Sequence, residues 1–230
     1  MLVEKVDACI LISAGAEWRS ILPHFPDAEI FKTPYGESFR AVIGRQNLLF
    51  MHGGWGKVAA AGSTQYALDH WSPQRIINLG TCGGFTGEVE RGAIILAEKT
   101  VIYDIIEQMS DPKAAIEHYS VEFDLGWLPT PPPQPILRKT LVSADRDIVA
   151  EDIPGLIEKY GAAAADWESG AIAWVAQKNG LPCLILRGVS DLVDVTKAEA
   201  YGDYAFFADQ CREIMDGLMA HLPEWLEAFR

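Results

Sequence analysis

The chain has 230 residues, 49% of them hydrophobic, and a formal net charge of −13. This length and apolar content predict one folded domain, residues 1–230, whose core needs no disulfide or metal, and they exclude a disordered chain. The acidic balance argues against a surface that follows nucleic-acid phosphates, because such a surface needs clustered Lys and Arg.

The amino-terminal segment and the cysteines indicate a cellular compartment. "MLVEKVDACILISAGAE" has an acidic flank, a short apolar run and no small-residue cleavage site, which fits neither a signal peptide nor a membrane span. The four cysteines lie far apart without C-x-x-C spacing, as is typical of reduced thiols, and they form no zinc framework. We therefore predict a cytoplasmic protein that contacts no membrane.

Short apolar runs closed by glycine or a polar residue alternate with helical patterns along the chain. The runs that predict buried strands are "VDACILISAG", "NLLFMHGG", "RIINLGTCGG", "GAIILAEKTVI", "KTLVSAD" and "LPCLILRGVSD". Helices are predicted in "GKVAAAGSTQYALDHW" (57–71), "EDIPGLIEKYG", "WESGAIAWVAQKNG" and from about Asp203 to His221, whereas the proline-rich 127–135 predicts a stiff extended loop. This alternation is typical of an α/β fold, here a three-layer α/β/α sandwich with a mixed, mostly parallel central sheet.

Ligands of such sheets collect beyond the carboxyl ends of the strands, and the unusual residues of this chain stand there. Several common sites are disfavoured. "GWGKVA" lacks the acidic partner of a dinucleotide turn, the five histidines lack metal-ligand spacing, and no G-x-S-x-G elbow occurs. The sequence implies no metal and no organic cofactor.

Carboxylates lie at two places in the most apolar segment of the chain, residues 163–194. Asp166 and Glu168 lie where a helix begins, so capping of that helix is the simplest explanation for both. Arg187 and Asp191 come at the end of the following strand, where a surface ion pair of small energetic effect is the simplest explanation.

Four pieces of sequence, taken together, favour a functional explanation. They are "GKVAAA" after a Gly-rich turn, "INLGTCGG", "LVSAD" and the block "DWESGAIAWVA…LRGVSD". In content and order, across nearly the whole chain, they resemble the nucleoside phosphorylase and nucleosidase superfamily, most of all the methylthioadenosine/S-adenosylhomocysteine nucleosidases. The resemblance implies an enzyme of purine nucleoside metabolism that assembles as a homo-oligomer, a dimer, trimer or hexamer.

The resemblance also implies roles for particular residues. Asp191 is expected to protonate the purine, with Arg187 helping to position it, and Glu168 to accept hydrogen bonds from the ribose hydroxyls. Trp167 stands where the nucleosidases have Met and is expected to pack on the ribose. Glu17 is the candidate base for water.

Two departures from the family pattern leave alternatives open. Arg19 stands where phosphorylases of the superfamily keep a phosphate-binding arginine, so phosphate, held by Arg19 and Thr81 in the Gly80–Thr81 loop, is the alternative to water. Asn78 in place of a second arginine favours hydrolysis, because one arginine serves a doubly charged anion poorly.

The other departure concerns the binding of the purine ring. Asp147 replaces the Phe on which nucleosidases stack adenine, although the backbone of Ile148 still matches the purine-edge position. A charged Asp offers no stacking surface, so Trp55, Phe85 or Trp127 is expected to cover the base, or the substrate differs. Arg146 and Asp147 are equally compatible with a solvated ion pair beside the pocket.

The sequence therefore predicts an N-ribosyl hydrolase that cleaves a purine nucleoside of the adenosine type, including 5′-substituted ones. Its catalytic residues are expected to be Asp191, Glu168 and Glu17. A phosphate-dependent phosphorylase of the same fold is the alternative enzyme. The alternative without catalysis is a nucleoside-binding or storage protein, since a fold does not fix a function.

Overall fold

The computed structural model describes residues 5–194 and 198–229. The strands are β1 (Ala8–Ile12), β2 (Phe31–Lys32), β3 (Glu37–Ile43), β4 (Gln46–His52), β5 (Ile76–Phe85), β6 (Ile94–Ile102), β7 (Ser120–Glu122), β8 (Leu137–Ser143), β9 (Ala162–Asp166) and β10 (Cys183–Val193). The helices are α1 (Gly15–Ile21), α2 (Gly56–Trp71), α3 (Pro112–His118), α4 (Ile153–Tyr160), α5 (Ser169–Lys178) and α6 (Tyr204–Ala228).

The strands form one ten-stranded sheet, part of which closes on itself. β1 lies between β4 and β5 and is parallel to both, while β3 and β2 extend the sheet beyond β4 as antiparallel strands. On the other side, β5, β10, β6, β8 and β9 pair in a ring, because β9 returns to β5 in an antiparallel pairing. The α/β class is confirmed, and the sheet is more evenly mixed than the predicted mostly parallel one.

Alternate residues of β1 show how helices cover both faces of the sheet. Ile10 and Ile12 face a core to which α1 and α6 contribute Trp18 and Met215. Cys9 and Leu11 face the opposite core, formed with the apolar residues of α2 and α5. This alternation is the period of two that a strand buried on both faces requires, and it gives the three predicted layers.

Several predicted elements are found with adjusted bounds. All six predicted strands are present, as β1, β4, β5, β6, β8 and β10, and α6 continues seven residues beyond the predicted end, to Ala228, through Pro223. Residues 127–135 contain neither helix nor strand, as predicted, and Trp127 packs on Phe229 with ring centroids 4.7 Å apart.

Five further strands and helices were not predicted from the sequence, and α1 was expected to be a loop. β9 is the run "AAAAD", whose alanines carry little strand preference, and it forms because it is buried between β8 and β5. Strands β2 and β3 pair beside β4, and α3 and β7 also went unpredicted. Among residues 5–194 and 198–229, none of the helices combines the length and apolar character that crossing a bilayer requires.

Helix α6 packs closely on β10 at a glycine. A Cβ on Gly188 would overlap the Cγ2 atom of Ile214, which is itself buried. We expect Gly188→Ala to lower the free energy of unfolding in urea by about 1–3 kcal/mol, as overpacking of a core does, and Ile214→Ala in the same chain to recover part of the loss.

Gly217→Ala is the matched control, because this helical position of α6 has open space around it. That change should leave the free energy of unfolding unchanged or raise it, since alanine favours a helix over glycine. Equal stability of Gly188→Ala and the wild type would contradict the close packing of α6 on β10.

Candidate active site

A cavity of about 750 Å³ lies at the carboxyl ends of β5, β8, β9 and β10. Its wall combines the loop before α1, the starts of α2 and α6, and residues at those strand ends. Asp166 and Asp147 lie in this wall, together with the three carboxylates that the sequence predicts to be catalytic: Glu17, Glu168 and Asp191. All three are buried, at 2%, 8% and 6% exposure, so their charges are shielded little by water.

Glu17 is held in the first turn of α1 by three donors. Its Oε2 accepts the backbone N–H of Ala14 at 2.9 Å. Its Oε1 accepts the N–H of Thr81 at 2.6 Å and the Thr81 hydroxyl at 2.8 Å. A carboxylate with this many donors is fixed in one orientation, in a wall that also includes Thr81.

Arg187 lies behind the wall, between three carboxylates, and only 1% of it is exposed. Its Nε is 3.0 Å from Asp166 Oδ2, its Nη1 3.7 Å from Glu17 Oε1 and its Nη2 3.9 Å from Glu168 Oε2. The explanation of Arg187 as part of a surface ion pair is therefore wrong, because the guanidinium is the counter-charge of a buried carboxylate cluster.

Neutral acceptors complete the surroundings of the guanidinium. Arg187 Nη2 donates to Asn78 Oδ1 at 2.7 Å, Nε to Ser169 Oγ at 2.9 Å and Nη1 to the Thr81 carbonyl at 3.3 Å. Gly80 leaves the space for this side chain, since a Cβ there would overlap Nη1 and lie 2.8 Å from Glu17 Oε1. Asn78 thus orients the arginine.

The expectation that Arg187 positions Asp191 needs correction. In a regular strand, residues four apart lie on the same face, but the register of β10 against β5 shifts between Val189 and Asp191. The extra residue at this bulge is Ser190, which reverses the alternation and turns Asp191 away from Arg187. Ser190 Oγ donates to Asp191 Oδ1 at 2.6 Å instead.

Burial raises the pKa of Asp191 above its ordinary value. The Ser190 hydroxyl opposes this rise by bonding to the charged form, while the negative charges of Glu199 and Asp147 add to it. The environment of Asp191 therefore favours a carboxyl that keeps its proton to higher pH than an exposed aspartate.

Glu168 stands at the junction of β9 and α5, but it does not cap α5. The amide of Ser169 donates to Asp166 Oδ1 at 3.2 Å, so Asp166 meets the start of that helix. Glu168 Oε1 accepts the N–H of Gly56 at 3.0 Å, which is the first amide of α2. The capping explanation thus holds for Asp166 and is wrong for Glu168.

The pKa of Glu168 is raised to about 8. Burial is the largest cause, and the charges of Asp166 and Glu17 add to it, whereas Arg187 and the Gly56 amide favour the ionised form. Glu168 is therefore an easily protonated carboxyl that hydrogen-bond donors in the cavity would shift toward its charged form.

Not all predicted substrate-binding residues lie in the wall. Trp167, Ile148 and Thr81 do, whereas Gly80 and Arg187 lie behind it. Arg19 is exposed, lies outside the wall and donates from Nη2 to the Tyr204 hydroxyl at 2.6 Å.

The aromatic residues around the cavity differ from those expected. Trp55 belongs to the wall, but Phe85 is fully buried in another core and Trp127 packs against α6. Three further aromatic residues line the cavity and were missed: Tyr201, Tyr204 and Phe207. They precede or begin α6, a region in which the sequence offered only an aromatic cluster, "YGDYAFF", as a signal.

Asp147 also lies in the wall and is exposed, and Arg146, its neighbour, pairs with Asp152. Arg146 thus pairs with Asp152 and not with Asp147 as the sequence allowed, and both Arg146 and Asp147 line the cavity. Within the described part of the chain, no group of three or more His, Cys, Asp or Glu side chains is arranged to hold a metal ion.

Solved structures share this architecture. A mutant nucleosidase (MTAN) of Helicobacter pylori with 5′-methylthioadenosine in its active site superimposes with a TM-score of 0.80 and 19% identity, covering 95% of this chain and 99% of its own. Futalosine hydrolase of the same organism gives a TM-score of 0.79 and 20% identity, over 97% and 99% of the two chains. These likenesses establish a nucleosidase-like α/β fold.

Sequence comparison gives the family. The model of the Phosphorylase superfamily matches residues 8–222, so the chain belongs to this superfamily. Similar curated proteins include the 5′-methylthioadenosine/S-adenosylhomocysteine nucleosidase of Marinomonas sp., 22% identical over 74% of this chain and 79% of the relative. The enzyme of that name from Exiguobacterium sp. is 24% identical over 76% and 79% of the two chains.

The raised pKa of Glu168 predicts how stability depends on pH. Because the folded-state pKa, about 8, exceeds the ordinary value of 4.5, the folded protein holds a proton that the unfolded chain has released in this window. The free energy of unfolding should therefore fall, relative to a Glu168→Gln variant, as pH rises from about 4.5 to about 8, and level off above. Urea titrations of both proteins across this range provide the measurement, and parallel curves would contradict the assignment.

Proposed function

We propose that this protein hydrolyses the N-glycosidic bond of a purine nucleoside, of the adenosine type and with or without a 5′ substituent, and releases the free base. The observation that carries the proposal is the convergence of four buried carboxylates, Glu17, Asp166, Glu168 and Asp191, on one cavity, with the Arg187 guanidinium beside the first three. Membership of the superfamily and the nucleosidase names of the relatives support it.

Asp191 is the acid in this proposal. Cleavage of the bond between the sugar and the base leaves an electron pair on the purine, which departs more easily when a ring nitrogen is protonated. Asp191 suits this role because burial raises its pKa and Ser190 fixes its orientation. Ile148 lies near it, since a Cβ at Gly83 would be 2.6 Å from Ile148 Cδ1 and 3.9 Å from Asp191 Oδ2, and this neighbourhood supports a purine position at this end of the cavity.

Glu168 binds the ribose. Its carboxylate accepts hydrogen bonds from the 2′- and 3′-hydroxyls, and these donors favour the ionised form against the burial that raises its pKa. The resulting negative charge stabilises the oxocarbenium-like ribosyl centre as the base departs, and Trp167 packs beside the sugar.

Glu17 is the base for water. Water adds to C1′ of the ribosyl cation, its oxygen forms the new C–O bond, and its proton passes to Glu17. The Asp191 proton has meanwhile left with the purine, so the products are free base and free sugar. The three donors on Glu17 and the Arg187 guanidinium 3.7 Å away keep this carboxylate oriented.

The same contacts favour water over phosphate. The Thr81 hydroxyl donates to Glu17, and Arg187 is engaged by carboxylates, so neither is free for an incoming anion. Arg19 lies outside the cavity wall and bonds to Tyr204. A phosphorylase would need a doubly charged anion beside the Glu17 carboxylate, where like charges repel.

Free-base release, followed by chromatography, tests the proposal directly. Adenosine, methylthioadenosine, adenosylhomocysteine and inosine are each incubated with the pure protein in phosphate-free buffer and in phosphate. We expect release in both buffers, with free sugar as the co-product. Release only with phosphate would establish the phosphorylase instead, and ligand binding without release from any nucleoside would indicate a binding protein.

Asp191→Asn tests the acid. The amide has no carboxyl proton to give, so we expect kcat/KM to fall by about 10²–10⁴-fold, the range for loss of a general acid. The unfolding midpoint should stay near that of the wild type. Asp209→Asn, on the exposed side of α6, is the matched control and should keep full activity. An unchanged kcat/KM in Asp191→Asn would remove this residue from the mechanism.

Three further sequence predictions stay predictions: a single domain, a homo-oligomer and a cytoplasmic location. A ten-stranded sheet with strands from Ala8 to Val193 supports the first. Light scattering of the purified protein would measure the assembly.

A further inference from the structure

The first turn of α2 is held by side chains from distant parts of the chain. Trp55, the residue before the helix, offers no side-chain bond to it. The N–H of Gly56 donates to Glu168 Oε1 at 3.0 Å, and the N–H of Lys57 donates to Asp145 Oδ1 at 2.7 Å. Two of the free amides at the start of the helix are thus divided between the proposed ribose carboxylate and Asp145.

The side chain of Lys57 also contacts Asp145, together with a third carboxylate, Asp104. Lys57 Nζ pairs with Asp104 and lies 3.8 Å from Asp145 Oδ2, while the N–H of Asp145 donates to Asp104 Oδ2 at 3.1 Å. The Lys57 and Asp104 side chains are only 20% and 18% exposed, so water screens their charges partially. We name these three residues the Lys57 cluster.

The cluster joins three elements around the cavity. Asp104 follows β6, Asp145 follows β8 in the segment that leads to Ile148, and Lys57 begins α2. None of the three belongs to the cavity wall.

The Lys57 cluster packs against Gly56, whose amide donates to Glu168. Its φ of +77° lies in the left-handed region, and a Cβ there would lie 2.7 Å from Asp145 Oδ1. The Asp145 carboxylate therefore packs directly on the backbone of Gly56. Movement of Asp145 would move the Gly56 amide, and with it the hydrogen bond that orients Glu168.

We propose that Lys57, Asp104 and Asp145 are positioning residues, which fix the Gly56 amide and so hold Glu168 in the orientation that accepts the ribose hydroxyls. The inference rests on the proposed function, because it takes Glu168 as the ribose carboxylate. Its consequence is specific: the cluster acts on recognition of the hydroxyls, and not on the acid at Asp191 or on the base at Glu17.

The preference for a ribonucleoside over its 2′-deoxy form measures this recognition. We expect Asp145→Ala to lower kcat/KM for the ribonucleoside about tenfold, since a small misplacement of a binding group has effects of this size or larger. Activity on the 2′-deoxynucleoside should fall less, so the preference narrows several-fold. Differences in intrinsic reactivity between the two nucleosides cancel when the ratio is compared between enzyme forms.

Two further variants separate positioning from general damage. Asp145→Asn keeps an oxygen that accepts from the Lys57 amide, so it should retain most of the preference. Asp111→Ala removes a carboxylate that makes the same kind of contact at the start of α3, with the Lys113 amide at 2.9 Å, and should leave the preference at the wild-type value. Equal losses on both nucleosides in Asp145→Ala, or no loss on either, would overturn the proposal.

A variant that does not fold and a wild type that releases no base each require a different measurement. If Asp145→Ala does not fold, Lys57→Met carries the same test, because it removes the cation that holds both aspartates. If the wild type releases no base, the proposed function fails, and the affinities of the wild type and Asp145→Ala for the two nucleosides, measured by calorimetry, decide on the cluster. A narrowed binding preference in the variant would support it, and an unchanged preference would overturn it.

Discussion

The buried guanidinium of Arg187 is the interaction on which the rest of the site depends. Three carboxylates, Asp166, Glu17 and Glu168, lie within 3.0–3.9 Å of its nitrogens, in a region that water hardly reaches. Without a cation the carboxylates would repel one another and take up protons, because burial disfavours charge. The arginine lets three acidic side chains lie together in one buried region.

Two local features of the fold decide which carboxylates lie beside this cation. Gly80 in β5 leaves the space that the guanidinium fills, and the bulge at Ser190 turns Asp191 away from it. The bulge thus separates two electrostatic environments along one strand. On one side the charge of Arg187 offsets part of the charge of a carboxylate cluster. On the other side burial raises the pKa of Asp191, the charges of Glu199 and Asp147 add to the rise, and this suits the proposed acid.

The start of α2 provides a further contact with the carboxylates of the cavity. Its first amide donates to Glu168 and its second to Asp145, so helix geometry links the proposed ribose carboxylate to the loop that carries Ile148. A helix terminus favours negative charge, and here two carboxylates that follow different strands accept its first two amides. The cavity therefore depends on contacts between sequence segments nearly 90 residues apart, such as Lys57 and Asp145.

The sequence by itself determined the α/β class and six of the strands, because apolar periodicity is a local property. The resemblance of its motifs to a known superfamily singled out Glu17, Glu168 and Asp191, which lie together in one cavity wall. The sequence did not predict β9, since alanine has little strand preference and this strand forms only because neighbouring strands bury it. Tertiary structure alone decided that Arg187 serves Glu17, Asp166 and Glu168, that Arg19 turns to Tyr204, and that Glu168 meets α2 and not its own helix. Charge pairing and burial depend on which strand ends come together in space, and a one-residue bulge, invisible in the sequence, reversed the side on which Asp191 lies.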